Sequence, residues 1–442
     1  MPRTTTMPDA VRVGLVGSGQ RAAAYFRNIP AHMASAVQLS AIADPEPSRR
    51  EAFAALFDAA PEHHDDGVAM IGERPLDAVV VATPNDQHVP YAVEAMRRGL
   101  PLMLEKPVAT TLEDLAALWK AEQARPGGRT VVGFVLRYTP FYERVREIVR
   151  SGRLGEVLAV QADENLGTGL TMVQYQGWRQ DVSRSGGWML EKCCHDLDVL
   201  GYVLDARPVR VHSMASALAF RPRPEAEQLD CFRPAAGTGE IDFGDAAAKE
   251  ALREKVQHSP YSPSGLPDRQ VATLELSSGA LATFTSVMAQ PRSTRRLRIF
   301  GTEGLLEGDL GARSIDLSFA DPSGGAGLTR EHESIETGGS GHQGGDEVLG
   351  ETFWHLAAGE DRLPRAGLAE GIDAVLCAMA LQESARTGRA VGIDPLREQV
   401  FGTAASADAA AAPAEAAAAP AGPAASPTAD HAGAGARTEP AR

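Results

Sequence analysis

The chain has 442 residues, 43% apolar and 23% charged, with a formal net charge of −15 and four cysteines. That length holds two domains or more with full cores. The acidic balance speaks against nucleic acid or an anionic membrane as partner, and so few cysteines make no disulfide framework. The opening MPRTTTMPD lacks an apolar core and no apolar run reaches the length of a membrane span, so a soluble, cytoplasmic protein is expected.

Val11, Val13, Leu15 and Val16 read as a buried strand, and Gly17, Gly19 and Ala22 give the spacing G-x-G-x-x-A as the chain turns into a helix over Ala22–Arg27. Such a turn aims backbone N–H groups and the positive end of a helix dipole at one spot, where a pyrophosphate fits. Gln20 and Arg21, in the same turn, are further candidate cofactor contacts. A second apolar run, Val37–Ala43, ends at Asp44, about 25 residues after Gly19, near the distance expected for a carboxylate that grips a ribose 2′-hydroxyl. Asp44 favours NAD, because a carboxylate repels a 2′-phosphate. Arg49 and Arg50 follow it and leave NADP open, although they read first as a solvated helix face.

Strand-like runs continue at Ala78–Ala82, Leu102–Leu104 and Val131–Phe134, with helical patterns at Arg49–Phe57, Pro90–Arg98 and Leu112–Ala124 between them. This alternation predicts an α/β fold: a Rossmann-type doubly wound parallel sheet over residues 1–135 that binds NAD(P). Two loops at strand ends stand out. Thr83, Asn85 and His88 follow the third strand as a turn that caps the next helix, as a loop beside the dinucleotide, or as both at once. Glu105-Lys106-Pro107 follows the fourth, where doubly wound sheets open into their ligand crevice. A lysine there can bind a substrate hydroxyl or help to move its proton.

Beyond Tyr138 the pattern changes. A helix (Phe141–Ser151) leads to a strand (Val157–Asp163), and another helix is expected from near Glu191 to Leu204. Val209–Ala217, Val271–Leu276, Ala280–Met288, Arg296–Gly301 and Gly304–Asp309 read as strands, with a hairpin turn at Ser277-Ser278-Gly279. They predict a C-terminal α/β domain over residues 136–395 with an open, mostly antiparallel sheet. Residues 219–268, rich in Pro, Gly and charge, read as a surface insertion with one amphipathic piece at Ala246–Val256. A glycine-rich stretch, Gly338 to Gly345, precedes helices at Glu347–Ala358 and Ala366–Thr387. From Gly402 to Arg442 nothing larger than alanine is aliphatic and nothing is aromatic, so residues 402–442 are expected to stay disordered.

The densest polar cluster runs from Gly186 to Asp198. Glu191 and His195 are one helical turn apart, and a carboxylate beside an imidazole raises its basicity and fixes its orientation. Oxidising an alcohol needs a base for the hydroxyl proton, and His195 suits that task near neutral pH. Cys193, Cys194 and His195 lack C-x-x-C spacing, so no metal is expected. Arg137, Trp178 and Arg179 are candidate pocket residues, each as readily a packing or surface residue.

Taken together, the glycine-rich turn, the acid after the second strand, Ala82-Thr83-Pro84-Asn85 with His88, then Glu105-Lys106-Pro107, then the glycine-led segment resemble the Gfo/Idh/MocA family over roughly residues 11–395. The resemblance implies an N-terminal Rossmann domain, a C-terminal α/β domain whose open sheet serves as an oligomer interface, and a homo-oligomer, dimer or tetramer. It implies that Lys106 touches substrate and cofactor, that His195 accepts the proton, and that Asp198 matches the family's second acid. Glu191 stands where the family usually has Asp and Cys193 where it usually has Gly, giving E-K-C-x-H for D-x-G-x-H and altering the pocket's shape. The expected activity is hydride transfer between NAD(P) and a hydroxyl of a sugar, inositol or glycoside. An NAD-retaining glycosidase and a non-catalytic dinucleotide-binding regulator are the rival expectations.

Overall fold

A computed structural model describes residues 10–125, 129–174, 177–217, 266–321, 327–338 and 341–402. The first sheet has six strands: β1 (Val11–Val16), β2 (Val37–Ala43), β3 (Glu62–His64), β4 (Ala78–Val81), β5 (Leu102–Leu104) and β6 (Thr130–Val132). They lie in the order β3-β2-β1-β4-β5-β6, all parallel. Both faces are covered, so β4 and β5 read as unbroken apolar runs and β1 departs from one only at Arg12. Side-chain caps start two of the covering helices: Asp66 accepts from Val68 N and Ala69 N ahead of Gly67–Glu73, and Thr111 accepts from Asp114 N ahead of Leu112–Ala124.

One helix on this sheet comes from far along the chain. Gly345–Ala357 buries Leu349, Phe353 and Trp354 in one cluster with Val13, Leu15 and Tyr25. Trp354 Nε1 donates to Tyr25 O at 3.2 Å. The sequence groups this helix with the second sheet; its packing sets it, and the glycine-rich loop before it, against the first.

The second sheet has nine strands: β7 (Val157–Gly167), β8 (Pro208–Ser216), β9 (Arg269–Leu276), β10 (Leu281–Gln290), β11 (Thr294–Gly301), β12 (Gly304–Asp309), β13 (Ser314–Ala320), β14 (Leu328–Ser334) and β15 (Val391–Gly392). Their order is β14-β13-β12-β11-β7-β10-β9-β8-β15, antiparallel throughout except for β7 beside β10. One face joins the core with Leu200, Val203, Leu376 and Leu381 of the covering helices. On the other face Met214, Val271 and Leu281 are exposed.

β3 is three polar residues and β15 only two, so neither has a periodicity to read; β13 and β14 were also not foreseen. The helix expected from Glu191 to Leu204 is two helices, Trp188–Glu191 and Cys194–Leu204, broken at Lys192-Cys193. The turn at Ser277-Ser278-Gly279 forms as expected, with Gly279 at φ +87°. The expected insertion, apart from 266–268, and the expected tail, apart from 402, lie outside the described residues. Among the described residues no helix is long and apolar enough to cross a membrane.

Candidate active site

A cleft of about 320 Å³ opens at the carboxyl ends of β1, β2, β4 and β5, the place where doubly wound sheets take ligands. Its floor is the turn Gly17–Gln20. Gly17 has φ +85°, and a Cβ there would stand 2.7 Å from Ala82 O and 2.8 Å from Thr83 N. Only glycine lets the ends of β1 and β4 meet backbone to backbone. Gly19 begins the helix Gln20–Arg27 with no side-chain cap, and a helix start of this kind is a favourable place for an anionic group of a ligand. At the end of β2, buried Asp44 accepts from Ser18 N at 3.0 Å, from Ser18 Oγ at 2.8 Å and from Glu46 N at 3.0 Å. A carboxylate offers about four acceptor positions, so one remains for a ribose hydroxyl. The uncapped helix start, the buried acid and the unpartnered, buried Thr83 Oγ1 fit a dinucleotide.

At the other end of the cleft lies Lys106. Its Nζ donates to Glu191 O at 2.5 Å and stands 3.7 Å from Glu191 Oε1. Arg179 Nε approaches the same carboxylate at 3.3 Å and stacks over Trp178 at 4.6 Å. Burial pushes the Glu191 carboxyl up, but Lys106, Arg179 and Lys192 overcome it and bring it down to about 2. Glu191 is therefore an anion that holds cations, not a proton carrier at neutral pH.

His195 lines the same end of the cleft, beside the ring of Phe134 at 5.7 Å between centroids. Its Nδ1 is buried without a partner. Burial, then the charges of Lys106, Lys192, Arg295 and His342, put its pKa well below that of an ordinary imidazole. The expected Glu191–His195 pair does not form. The break at Lys192-Cys193 rotates the two residues out of register, and Glu191 serves Lys106 and Arg179 instead. Far from being made more basic by a carboxylate, this imidazole is held neutral by burial and nearby cations.

Several candidates play other parts. Glu105 and Arg21 both line the cleft, but they bind each other: Arg21 Nε donates to Glu105 Oε1 at 2.8 Å, and Tyr25 OH donates to the same oxygen. Burial raises the Glu105 carboxyl, yet Arg21 and Lys106 leave it below its ordinary range. Asn85 lines the cleft while its amide donates to Ser185 O at 2.8 Å, tying the loop after β4 to the segment before Gly186. His88 lies outside the cleft lining. It is fully buried, with Nδ1 2.8 Å from Pro107 O and Nε2 3.0 Å from Thr83 O, so it braces two loops and touches no cofactor site directly. Arg50 is also no solvated residue: it is buried and reaches the carbonyls of Asp44 and His64, while Arg49 lines the cleft. Arg137 and Asp198 form a buried bidentate pair, 2.8 and 2.7 Å, away from the cleft. They join the turn Val135–Tyr138 to the helix Cys194–Leu204.

Cys193 and Cys194 point into the protein, toward Ser286 Oγ and Glu191 O. Among the described residues no group of three or more His, Cys, Asp or Glu is placed to hold a metal.

The structure adds residues that the sequence did not single out. Lys192 lines the cleft and meets Glu164 at 3.4 Å; Glu164 meets Arg295, which meets Asp196. His342 and Asp346, near the start of the helix Gly345–Ala357, join the first sheet through Arg21. The glycine-rich stretch before that helix was the one available signal, and it marked a loop without saying which sheet the loop would meet.

A family model described as oxidoreductase family, NAD-binding Rossmann fold, matches residues 11–134, and one described as the GFO/IDH/MocA C-terminal domain matches residues 142–307. The chain belongs to the Gfo/Idh/MocA oxidoreductase family. It is 26% identical over 342 residues to the Bacillus subtilis protein YteT, named as an oxidoreductase, covering 70% of this chain and 78% of that one. It is 30% identical over 274 residues to an inositol 2-dehydrogenase of Corynebacterium glutamicum, covering 59% and 76%. Among solved structures, levoglucosan dehydrogenase in complex with NADH and L-sorbose superimposes with a TM-score of 0.69 at 19% identity, covering 88% of this chain and all of that one. An oxidoreductase domain protein from Kribbella flavida gives 0.68 at 20%, covering 87% of this chain and all of that one. The N-terminal sheet is thus the NAD-binding Rossmann unit of a Gfo/Idh/MocA oxidoreductase, and the cleft at its carboxyl edge lies where that cofactor belongs.

Proposed function

We propose that this family member transfers hydride between NAD and a secondary hydroxyl of a small polyhydroxylated substrate, a sugar, an inositol or a glycoside. Gly17, Ser18, Gly19, Asp44 and Thr83 would hold the cofactor. When bound, NAD supplies a ring carbon able to take up a hydride. Lys106, fixed by Glu191, presents an ammonium group to the reacting oxygen and stabilises negative charge as it builds there. His195 takes the hydroxyl proton. An imidazole kept neutral by burial and by surrounding cations has an open nitrogen ready to accept one. Two of the similar proteins are named for an inositol and for levoglucosan, molecules of this class, which supports the choice of substrate.

The observation that carries this reading is the meeting, in one cleft, of the anchored Lys106 and the neutral, buried His195. Absorbance at the NADH band during a screen of sugars and inositols tests it. Lys106→Ala and His195→Ala should each lower turnover strongly with the fold intact, and near-wild-type rates in both would remove the assigned roles. We place a second copy of the chain on the open face of the second sheet, where Met214 and Val271 are cross-strand partners and both exposed. A cytoplasmic setting accords with the free, buried Cys193, Cys194 and Cys377.

A further inference from the structure

The loop before the helix Gly345–Ala357 has four consecutive residues in the left-handed region: Gly341 (φ +69°), His342 (+38°), Gln343 (+55°) and Gly344 (+90°). Two of these positions require glycine. A Cβ at Gly341 would stand 2.4 Å from Asp346 Oδ2, and one at Gly344 2.5 Å from Gly338 O. His342 and Gln343 adopt this conformation although they carry side chains, so the surrounding contacts must hold them there. What that conformation achieves is the placement of His342 on the wall of the cleft.

The imidazole is held from behind. His342 Nδ1 lies 2.8 Å from Asp346 Oδ2. Asp346 is an acceptor, so Nδ1 carries the hydrogen and Nε2 is left for a ligand. Asp346 Oδ1 in turn accepts from Arg21 Nη1 at 2.9 Å, and Arg21 Nε donates to Glu105 Oε1 at 2.8 Å. Glu105 is the neighbour of Lys106. This line of contacts runs toward β5, whereas Asp44 lies at the end of β2 on the opposite side of β1 and β4. His342 therefore shares the Lys106 end of the cleft.

We propose that His342 is a cofactor-binding residue that hydrogen-bonds the nicotinamide riboside half of NAD, and that Asp346 and Arg21 hold it in position. This rests on the reading that Lys106 and His195 mark the nicotinamide end. Nε2 accepts when the ring is neutral and donates when it is charged, and ribose hydroxyls and a carboxamide can answer either. A loop from the second half of the sequence thereby closes a site built by the first.

Calorimetric titration of the full chain with NADH and, separately, with ADP tests this without turnover. ADP carries the adenosine and phosphates but no nicotinamide riboside. In His342→Ala the Kd for NADH should rise about tenfold, as for loss of one hydrogen bond in a partly buried site, while that for ADP stays within about twofold. His342→Gln, which keeps a donor and an acceptor, should recover part of the loss. Equal weakening of ADP would overturn the proposal by showing a phosphate contact or a collapsed loop. An unchanged Kd for NADH would overturn it as well, even if substrate turnover fell. Because neither titration needs substrate, failure of the polyol screen would leave this test intact.

Discussion

Lys106 is bonded to two different parts of one residue. Its ammonium donates to the main-chain carbonyl of Glu191 at 2.5 Å and stands 3.7 Å from that residue's carboxylate. The carbonyl fixes where the nitrogen is, and the carboxylate balances its charge. Glu191→Gln keeps the carbonyl contact and removes the charge, leaving the half-buried Lys106 and Arg179 without their shared anion. Turnover should fall on the order of a hundredfold, the cost of a displaced reacting group. Glu191→Asp should recover only part of it, being one methylene short. Steady-state rates at saturating NAD, set beside NADH titration, check that the loss lies in turnover rather than in cofactor affinity.

The pH profile should carry the mark of His195. A histidine with its pKa depressed stays neutral, and able to accept a proton, below the ordinary value of 6.5. Its contribution to hydroxyl oxidation is thus fully present above that value and is lost only as pH falls through the lower pKa of the folded protein. We expect kcat/KM for oxidation to hold its plateau down to pH values below 6.5 before it declines, and the decline to vanish in His195→Asn. An acid limb centred at or above 6.5 would contradict the environment described.

Coenzyme choice depends on Asp44 against Arg49, both on the cleft wall. Asp44 is buried and fixed by three hydrogen bonds from Ser18 and Glu46, so it cannot swing away from a 2′-phosphate. NADH should bind more tightly than NADPH, and Asp44→Ser should weaken NADH while narrowing the difference. Fluorescence titration with both reduced coenzymes measures this. Equal affinities in the wild-type chain would show that Arg49 outweighs the carboxylate.

The parts of this site that sit at strand ends were legible in the sequence. Gly17, Asp44, Thr83 and Lys106 each follow a buried apolar strand, and the rule that such strand ends face one crevice was enough to group them. What was hidden depends on contacts across the chain. Arg21 reads as a cofactor ligand until Glu105 and Asp346 are seen on either side of it, one 84 and the other 325 residues away. His88 looks like a site residue by position, and only its burial between two carbonyls reveals a brace. The pairing of Glu191 with His195 assumed an unbroken helix. No residue at Lys192-Cys193 is a helix breaker, and the break follows from tertiary packing that no local pattern encodes.

Arg137 and Asp198 offer a contrast between a structural and a substrate role. They are bonded twice, buried, and absent from the cleft lining, with Arg137 also over the ring of Tyr202 at 4.9 Å. Removing one partner strands a buried charge, which costs roughly 3–5 kcal/mol, while replacing both by apolar residues of similar volume is often neutral. Arg137→Met should therefore lower Tm markedly, as should Asp198→Leu alone, and the double variant should recover much of the loss. In whatever fraction stays folded, KM for the polyol should remain within about twofold of the wild type, since neither side chain reaches the cleft. Thermal melts set beside substrate kinetics decide the matter: a large rise in KM without a fall in Tm would return the pair to the substrate site that their place in the sequence suggested.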